Sequence, residues 1–249
     1  MPNEWPILAK PPVDVAIFQL KFEGGDSALS DFTKFDAEIR KDFPLRRDDY
    51  SAEVNLPYTK LTLGIAQVTG TSKTKVAGYL YLSVDQKSKL NIQEGVLTYI
   101  EEHPYTNWET FIGAIKKYLT LLTPVFENHM VTRTSIRFIN RFVIDTPFNP
   151  LDFFKTTIST TEENAVPFPV AKYAFSLHLP IDASTYAIVK QDLDEVSGKV
   201  NYVFDIDVLN RNNLIFDLDT ISGVLSDLRD AKNRIFFGNA TDKLIESCN

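Results

Sequence analysis

The stretch TRTSIRFINRFVID, residues 132–145, separates apolar from basic side chains at a spacing of two. In an extended strand, successive side chains point to opposite faces. Thr132, Thr134, Ile136, Phe138, Asn140, Phe142 and Ile144 then share one face, and Arg133, Ser135, Arg137, Ile139, Arg141, Val143 and Asp145 the other. The first face suits a core, and the second carries three arginines. Residues 132–145 are therefore expected to form a central strand, with Asn140 as the conspicuous polar group on its core side.

At roughly 3.3 Å per residue, arginines four positions apart stand about 13 Å from one another, so Arg133, Arg137 and Arg141 form a row rather than a converging pocket. One small anion cannot touch all three. Two readings follow. The row is a solvated sheet face paired with carboxylates of neighbouring strands, an arrangement that is common and weak. Alternatively it is a docking stripe for an acidic partner, for which the bidentate guanidinium is suited. On the second reading Arg133, Arg137 and Arg141 are the partner-binding residues. Asn140, once buried, needs about three hydrogen-bond partners, which predicts a structural polar core residue that ties the two parts of the chain together.

Working outward, Val13 to Phe22 reads as a strand with Val13, Val15 and Ile17 alternating, entered through Pro11-Pro12 and ended by Gly24-Gly25. Leu29, Phe32, Phe35, Ile39 and Phe43 predict a helix from about Ala28 to Phe43, stopped by Pro44. Between 45 and 75 lie strand-like pieces around Val54 and Leu61 to Val68, then a polar loop from Gly70. Val76–Asp85, Leu90–Gln93 and Val96–Glu101 predict an antiparallel meander. Thr106 and Glu109 have the spacing of a capping box, and Trp108, Phe111, Ile112, Ile115, Leu119 and Leu122 give the helix behind it one apolar face, with a break at Pro124.

Past the arginine strand, Pro147 and Pro150 introduce a loop with a short helical turn at Leu151 to Phe154, the one internal boundary. Three more strands follow, at Ala171–Leu179, Tyr186–Leu193 and Val200–Val208. A closing helix starts near Asp219, with Gly238 as its C-cap and a short restart at Thr241. The expected fold is α+β: one domain over 1–249 made of two antiparallel-sheet halves, 1–147 and 148–249, each covered by a long helix. The order suggests duplication of a βββα unit.

Composition narrows the function. With 249 residues, 44% apolar and 24% charged, the chain can bury a substantial core. No apolar run approaches the roughly 18 residues of a membrane span, and the start lacks the pattern of a secretory signal, so a cytoplasmic protein without membrane contact is expected. Cys248 is the only cysteine, which excludes an intrachain disulfide, and its place near the end predicts a surface thiol. A net charge of −7 argues against nucleic acid as a partner. Residues 1–145 carry −1 and residues 146–249 carry −6, an asymmetry that suits self-association or a basic protein partner.

Catalytic motifs are scarce. Asp205 and Asp207 share a strand face about 6.6 Å apart, a spacing open to acid–base pairing but ordinary for an exposed sheet face. His103, His129 and His178 lack metal-ligand spacing. GTSKT at 70–74 has the look of a phosphate loop without the GxxxxGKS or GxxxxGKT pattern, and reads as a hairpin loop. Neither an enzyme nor a cofactor is expected. The aromatic residues fall mostly on core faces, with Tyr79 and Tyr81 as the exceptions, because they share a face with Ala77, Ser83 and Asp85.

Ile136-Arg137-Phe138-Ile139-Asn140-Arg141, the Pro11-Pro12-Val13 strand entry, and the tail segments Leu228-Arg229-Asp230, Arg234-Ile235-Phe236 and Thr241-Asp242 are short and spread from end to end. Together they resemble a sporadically distributed, uncharacterised prokaryotic family of similar length. Where that family more often has Leu-Arg-Tyr, this chain has Ile136-Arg137-Phe138, which removes a phenol hydroxyl. The resemblance carries no activity. It implies a self-contained, patchily inherited domain of the kind found in defence, toxin–antitoxin or mobile-element settings. The function expected is a non-catalytic protein-interaction or regulatory module, antitoxin-like or part of a prokaryotic defence complex. The alternative is a small-molecule-binding domain, with an apolar cavity between the sheet and the helices of residues 107–122 and 219–237, lined by Tyr, Phe and Trp.

Overall fold

The computed structural model describes residues 5–24, 29–54, 72–127, 129–158 and 171–249. In chain order the elements are β1 (Val13–Glu23), a 3-10 turn at Leu29–Phe35, α1 (Asp36–Ile39), β2 (Leu45–Val54), β3 (Ser72–Leu82), β4 (Ser88–Gln93) and β5 (Val96–Glu102). Next come α2 (Trp108–Leu121), α3 (Thr123–Phe126) and β6 (Met130–Asp145). A second 3-10 turn (Pro150–Asp152), β7 (Lys172–Pro180), β8 (Thr185–Val196), β9 (Lys199–Asn210), β10 (Leu214–Ile215), α4 (Leu218–Asn239) and α5 (Asp242–Ser247) complete it. One open, antiparallel sheet runs β2-β3-β4-β5-β1-β6-β9-β8-β7, with the short β10 on β6. The fold is α+β.

β6 is the arginine strand. Thr134, Ile136, Phe138, Asn140 and Phe142 are buried on one face, while Arg133, Arg137 and Ile139 are part-buried and Arg141 is exposed on the other. Phe138 meets Phe111 of α2 with ring centres 5.7 Å apart, and α4 packs on β6 and β9. The two long helices therefore meet the sheet on the face that holds Phe138. Burial of each such ring contributes roughly 1.5–3 kcal/mol, and Phe204, Phe154, Phe236 and Tyr202 continue the aromatic core along β9.

Several local expectations need correction. β1 buries Val13, Ala16, Phe18, Leu20 and Phe22, not Val13, Val15 and Ile17. The register against β6 slips between Val13 and Val15, so Asp14 is an extra residue that turns every later side chain to the opposite face. The helix expected over Ala28–Phe43 is a 3-10 turn plus one α turn. Leu29, Phe32 and Phe35 recur at three residues, which is the 3-10 repeat. Ser72 to Lys75 belong to β3 rather than to a loop, and the strand-like piece at 61–68 lies outside the described residues.

α2 is capped by Asn107, whose side chain accepts from the Thr110 amide at 2.8 Å, rather than by Thr106. α4 runs through Gly238 and ends at Ala240, where the chain turns extended and bridges to Phe154. Asp217 caps its start, and Thr241 caps α5. Tyr79 and Tyr81 are buried, with Arg46 lying 4.3 Å over the Tyr79 ring and the Tyr81 hydroxyl donating to Asp36 at 3.0 Å. β8 and β9 are joined by Ser197-Gly198, both at positive φ (54° and 75°), as a two-residue hairpin turn requires.

Candidate functional site

The arginine row is closed by its own chain. Arg137 stands opposite Asp207 in the β6–β9 register, yet its Nε and Nη2 donate to Asp205, 2.8 and 2.6 Å away. Asp207 goes instead to Arg133 Nη2 at 3.4 Å, so both arginines lean along the strand toward a diagonal carboxylate. Arg141 Nε donates to Asp14 at 2.9 Å, the residue that the β1 bulge brings to this face. The hydrogen bonds to Asp205 hold the Arg137 guanidinium above its ordinary pKa. Burial lifts the Asp207 carboxyl despite Arg133 and Arg137 beside it.

Asn140 is buried. Its Nδ2 donates to the Phe204 carbonyl of β9 at 2.9 Å and to the Phe138 carbonyl at 3.4 Å, while its side-chain oxygen accepts from no described residue. His103 follows β5, His129 precedes β6 and His178 lies on β7 beside the Tyr186 hydroxyl.

On the Phe138 face a half-open cavity of about 310 Å³ lies between β6, the start of α2 and the second half of α4. Its walls include the aromatic side chains of Trp5, Tyr105, Trp108, Phe138, Phe236 and Phe237. The segment 5–8 crosses its edge. Trp5 stacks on Phe237 at 5.6 Å and donates its indole N–H to Asp230 at 2.9 Å, and farther along Lys10 N–H donates to the Cys248 carbonyl at 2.8 Å.

Polar groups enter this apolar chamber from three elements. Lys232 projects from α4 with its Nζ 4.5 Å from the Phe138 ring centre, a cation–π contact, and makes no hydrogen bond or ion pair with any described residue. Burial, and secondly the Arg229 guanidinium, pushes its pKa down to about 7. Asn233, 5% exposed, lines the same cavity with its amide unpartnered among the described residues. Arg229 lies over the Trp108 ring and reaches Glu109 at 3.5 Å. From α2, the first turn faces the chamber, with Asn107 satisfying the Thr110 amide and leaving those of Trp108 and Glu109 without an acceptor inside the helix. Burial and the nearby Glu101 carboxylate hold the Tyr105 phenol well above its usual range.

Lys232 and Asn233 were missed in the sequence, although a signal was present. Lys232 falls four residues after Leu228 and four before Phe236, in the middle of the apolar stripe of α4. Charged residues belong on the opposite side of such a helix. Among the described residues, no three His, Cys, Asp or Glu side chains gather as a metal cage. Neither the protein-family models nor the curated proteins give a match to this chain.

Proposed function

We propose that this chain binds a small molecule in the cavity between β6, α2 and α4. The observation that carries the reading is the pair Lys232 and Asn233, both on the cavity wall and both without a partner among the described residues. Leaving a polar group unpartnered on burial costs about 1–3 kcal/mol; with Asn233 buried and Lys232 part-buried, a wall that served packing alone would pair them or replace them with apolar residues. The volume falls at the small end of ligand sites, and aromatic walls with a few polar groups are their usual lining. Thermal unfolding against a panel of small organic compounds tests this. A ligand at about 100 times its Kd stabilises by roughly 2.7 kcal/mol and raises Tm by several degrees. No stabilisation by any compound would count against the reading.

A second reading keeps the arginine strand as a docking stripe for a protein partner, as an antitoxin-like or defence-complex component. In its favour, Arg137 and Arg141 stay 38% and 46% exposed while paired. Against it, a partner would have to displace Asp205 and Asp14 from them. Arg133→Glu with Arg141→Glu should then abolish co-purification of the partner while leaving the fold intact; unchanged recovery would refute it.

We also infer a duplicated architecture. Its support is the strand order, with the boundary drawn ahead of β6 rather than at residue 147: β1 pairs with β5 and β6 with β9, the first and last long strands of each part. The meander continues outward as β4-β3 on one side and β8-β7 on the other. A long helix closes each part, α2 after β5 and α4 after β9 and the two-residue β10. The central β1–β6 pair is antiparallel, as a two-fold relation between the parts requires.

A further inference from the structure

We propose that the occupant of this cavity is a small organic anion, a flat apolar body of one or two rings bearing a carboxylate or phosphate that Lys232 and the first turn of α2 hold. The proposal rests on the ligand-binding reading above and adds the charge and size of the ligand.

Three sources of positive potential meet at the chamber in a chain whose net charge is −7. Lys232 has no carboxylate partner among the described residues. The fourteen-residue α2 points its first turn there, with two amides free of intrahelical acceptors and the positive end of the helix dipole behind them. Arg229 is the third, and it is only loosely engaged at 3.5 Å by Glu109, whose side chain is 73% exposed. Among the described residues, Glu109 is the one carboxylate on the wall. Two acidic groups on neighbouring segments are already employed: Asp230 accepts the Trp5 indole N–H, and Glu101 accepts from the Thr106 amide and the Tyr99 hydroxyl.

Asn233 supplies the independent observation. It is 95% buried on the cavity wall with neither its donor nor its acceptor used among the described residues, so a ligand that fills the space meets a polar group placed to orient it. Asn140 adds an acceptor oxygen from the sheet side, its Nδ2 being spent on main-chain carbonyls. The rings of Tyr105, Trp108, Phe138 and Phe237 favour a flat body, and about 310 Å³ leaves no room for a dinucleotide.

The test uses four probes on the whole chain: 2-naphthoate, 1-naphthyl phosphate, the neutral 2-naphthamide, and inorganic phosphate, each titrated by calorimetry at pH 6.5. At least one naphthyl acid should bind tenfold or more tighter than the amide, since a charge-assisted hydrogen bond to a desolvated ammonium is worth at least that ratio. Lys232→Met should erase the difference, and the tighter acid names the head group. Binding of inorganic phosphate alone, without either naphthyl acid, would overturn the flat body. An amide that binds as tightly as the acids would overturn the anion inference and leave the ligand-binding reading standing. Failure of all four probes would refute the anion inference, and the compound panel above then decides the cavity separately.

The pH profile of the unaltered chain keeps the proposal falsifiable if Lys232→Met does not fold. Among the described residues, the ionisable groups facing Lys232 are Arg229 on its own helix, Glu109 from α2 and Tyr105 from the segment ahead of α2; β6 contributes Phe138 and Asn140, which do not titrate. Acid affinity should fall roughly tenfold from pH 6.5 to 8.5 while amide affinity holds, because the anion needs the ammonium form. Acid binding independent of pH over that range would overturn the role of Lys232.

Discussion

Lys232 Nζ stands 4.5 Å from the centre of the Phe138 ring, which lays the ammonium of α4 on the aromatic residue at the middle of the core face of β6. Burial and Arg229 bring its pKa down to about 7, whereas an unfolded lysine titrates near 10.4. Between those values the unfolded chain binds a proton that the native chain does not, so stability rises with pH through the window. Below about pH 7 both states carry the charge and the full penalty applies. The side chain retains some solvent contact, which reduces the effect to on the order of 2 kcal/mol. Urea unfolding at pH 7 and pH 9.5 should show this rise, and Lys232→Met should lack it. Equal slopes for the two proteins would contradict the assignment.

The diagonal pairing on β6 predicts a ranking among the three arginines. Asp205 is 5% exposed and receives both Arg137 donors, so Arg137→Ala strands a buried carboxylate and should cost about 2–4 kcal/mol. Arg141 and Asp14 form a half-exposed pair, for which less than about 1 kcal/mol is expected. Denaturant midpoints of Arg137→Ala, Arg141→Ala and Asp205→Ala measure it. Equal costs for Arg137→Ala and Arg141→Ala would show that burial of the carboxylate is not what distinguishes them.

These contrasts also explain what the sequence could reveal. Residues 132–145 were legible because their two faces differ in chemistry over seven repeats, and alternation survives any detail of register. β1 was misread at its core because a bulge is a main-chain event: Asp14 looks like any polar strand residue until its partner strand shows two residues facing one. The 3-10 turn at Leu29–Phe35 hid in the same way, since three- and four-residue spacings overlap in so short a segment. Lys232 was visible as a charge on an apolar stripe, but only the packing of α4 against Phe138 shows that no carboxylate among the described residues meets it. Asn140 was found, and its bond to the Phe204 carbonyl explains its place in the core. The cavity it borders depends on side chains from four separate parts of the chain, whose convergence no local pattern encodes.

Trp5 predicts how the chamber opens. Its stack on Phe237 and its bond to Asp230 hold the segment 5–8 across the cavity edge, and the contacts of Ala9 and Lys10 with Asn249 and Cys248 anchor the segment behind it. Trp5→Ala should leave global stability within about 1 kcal/mol, because an edge contact is lost rather than a core one. Dissociation of a bound naphthyl acid should accelerate several-fold in stopped-flow measurements, since most affinity changes within one site appear in the off-rate. Trp108 then remains as the chain's single tryptophan on the cavity wall, and it reports the ligand by fluorescence. An unchanged dissociation rate would mean that segment 5–8 does not gate the site.

Cys248 gives a prediction about the closing turn. Expected at the surface, it is 4% exposed, because α5 folds back so that the Cys248 carbonyl accepts from Lys10 and the Leu244 side chain is buried beside it in the core. Burial pushes the thiol pKa up, which lowers the reactive thiolate fraction, and the weak Ser247 contact only partly offsets it. Labelling must then wait for α5 to open. Reaction with a disulfide reagent at pH 8 should run at least about 100-fold slower in the native chain than in urea, as a local opening of about 3 kcal/mol implies. Leu244→Ala, which removes the apolar anchor of α5, should accelerate labelling about tenfold or more while leaving the Trp5 and Trp108 emission of the native chain in place. If native Cys248 reacts as fast as the unfolded thiol, α5 is not docked, and the anchor it provides for the segment leading to Trp5 is lost with it.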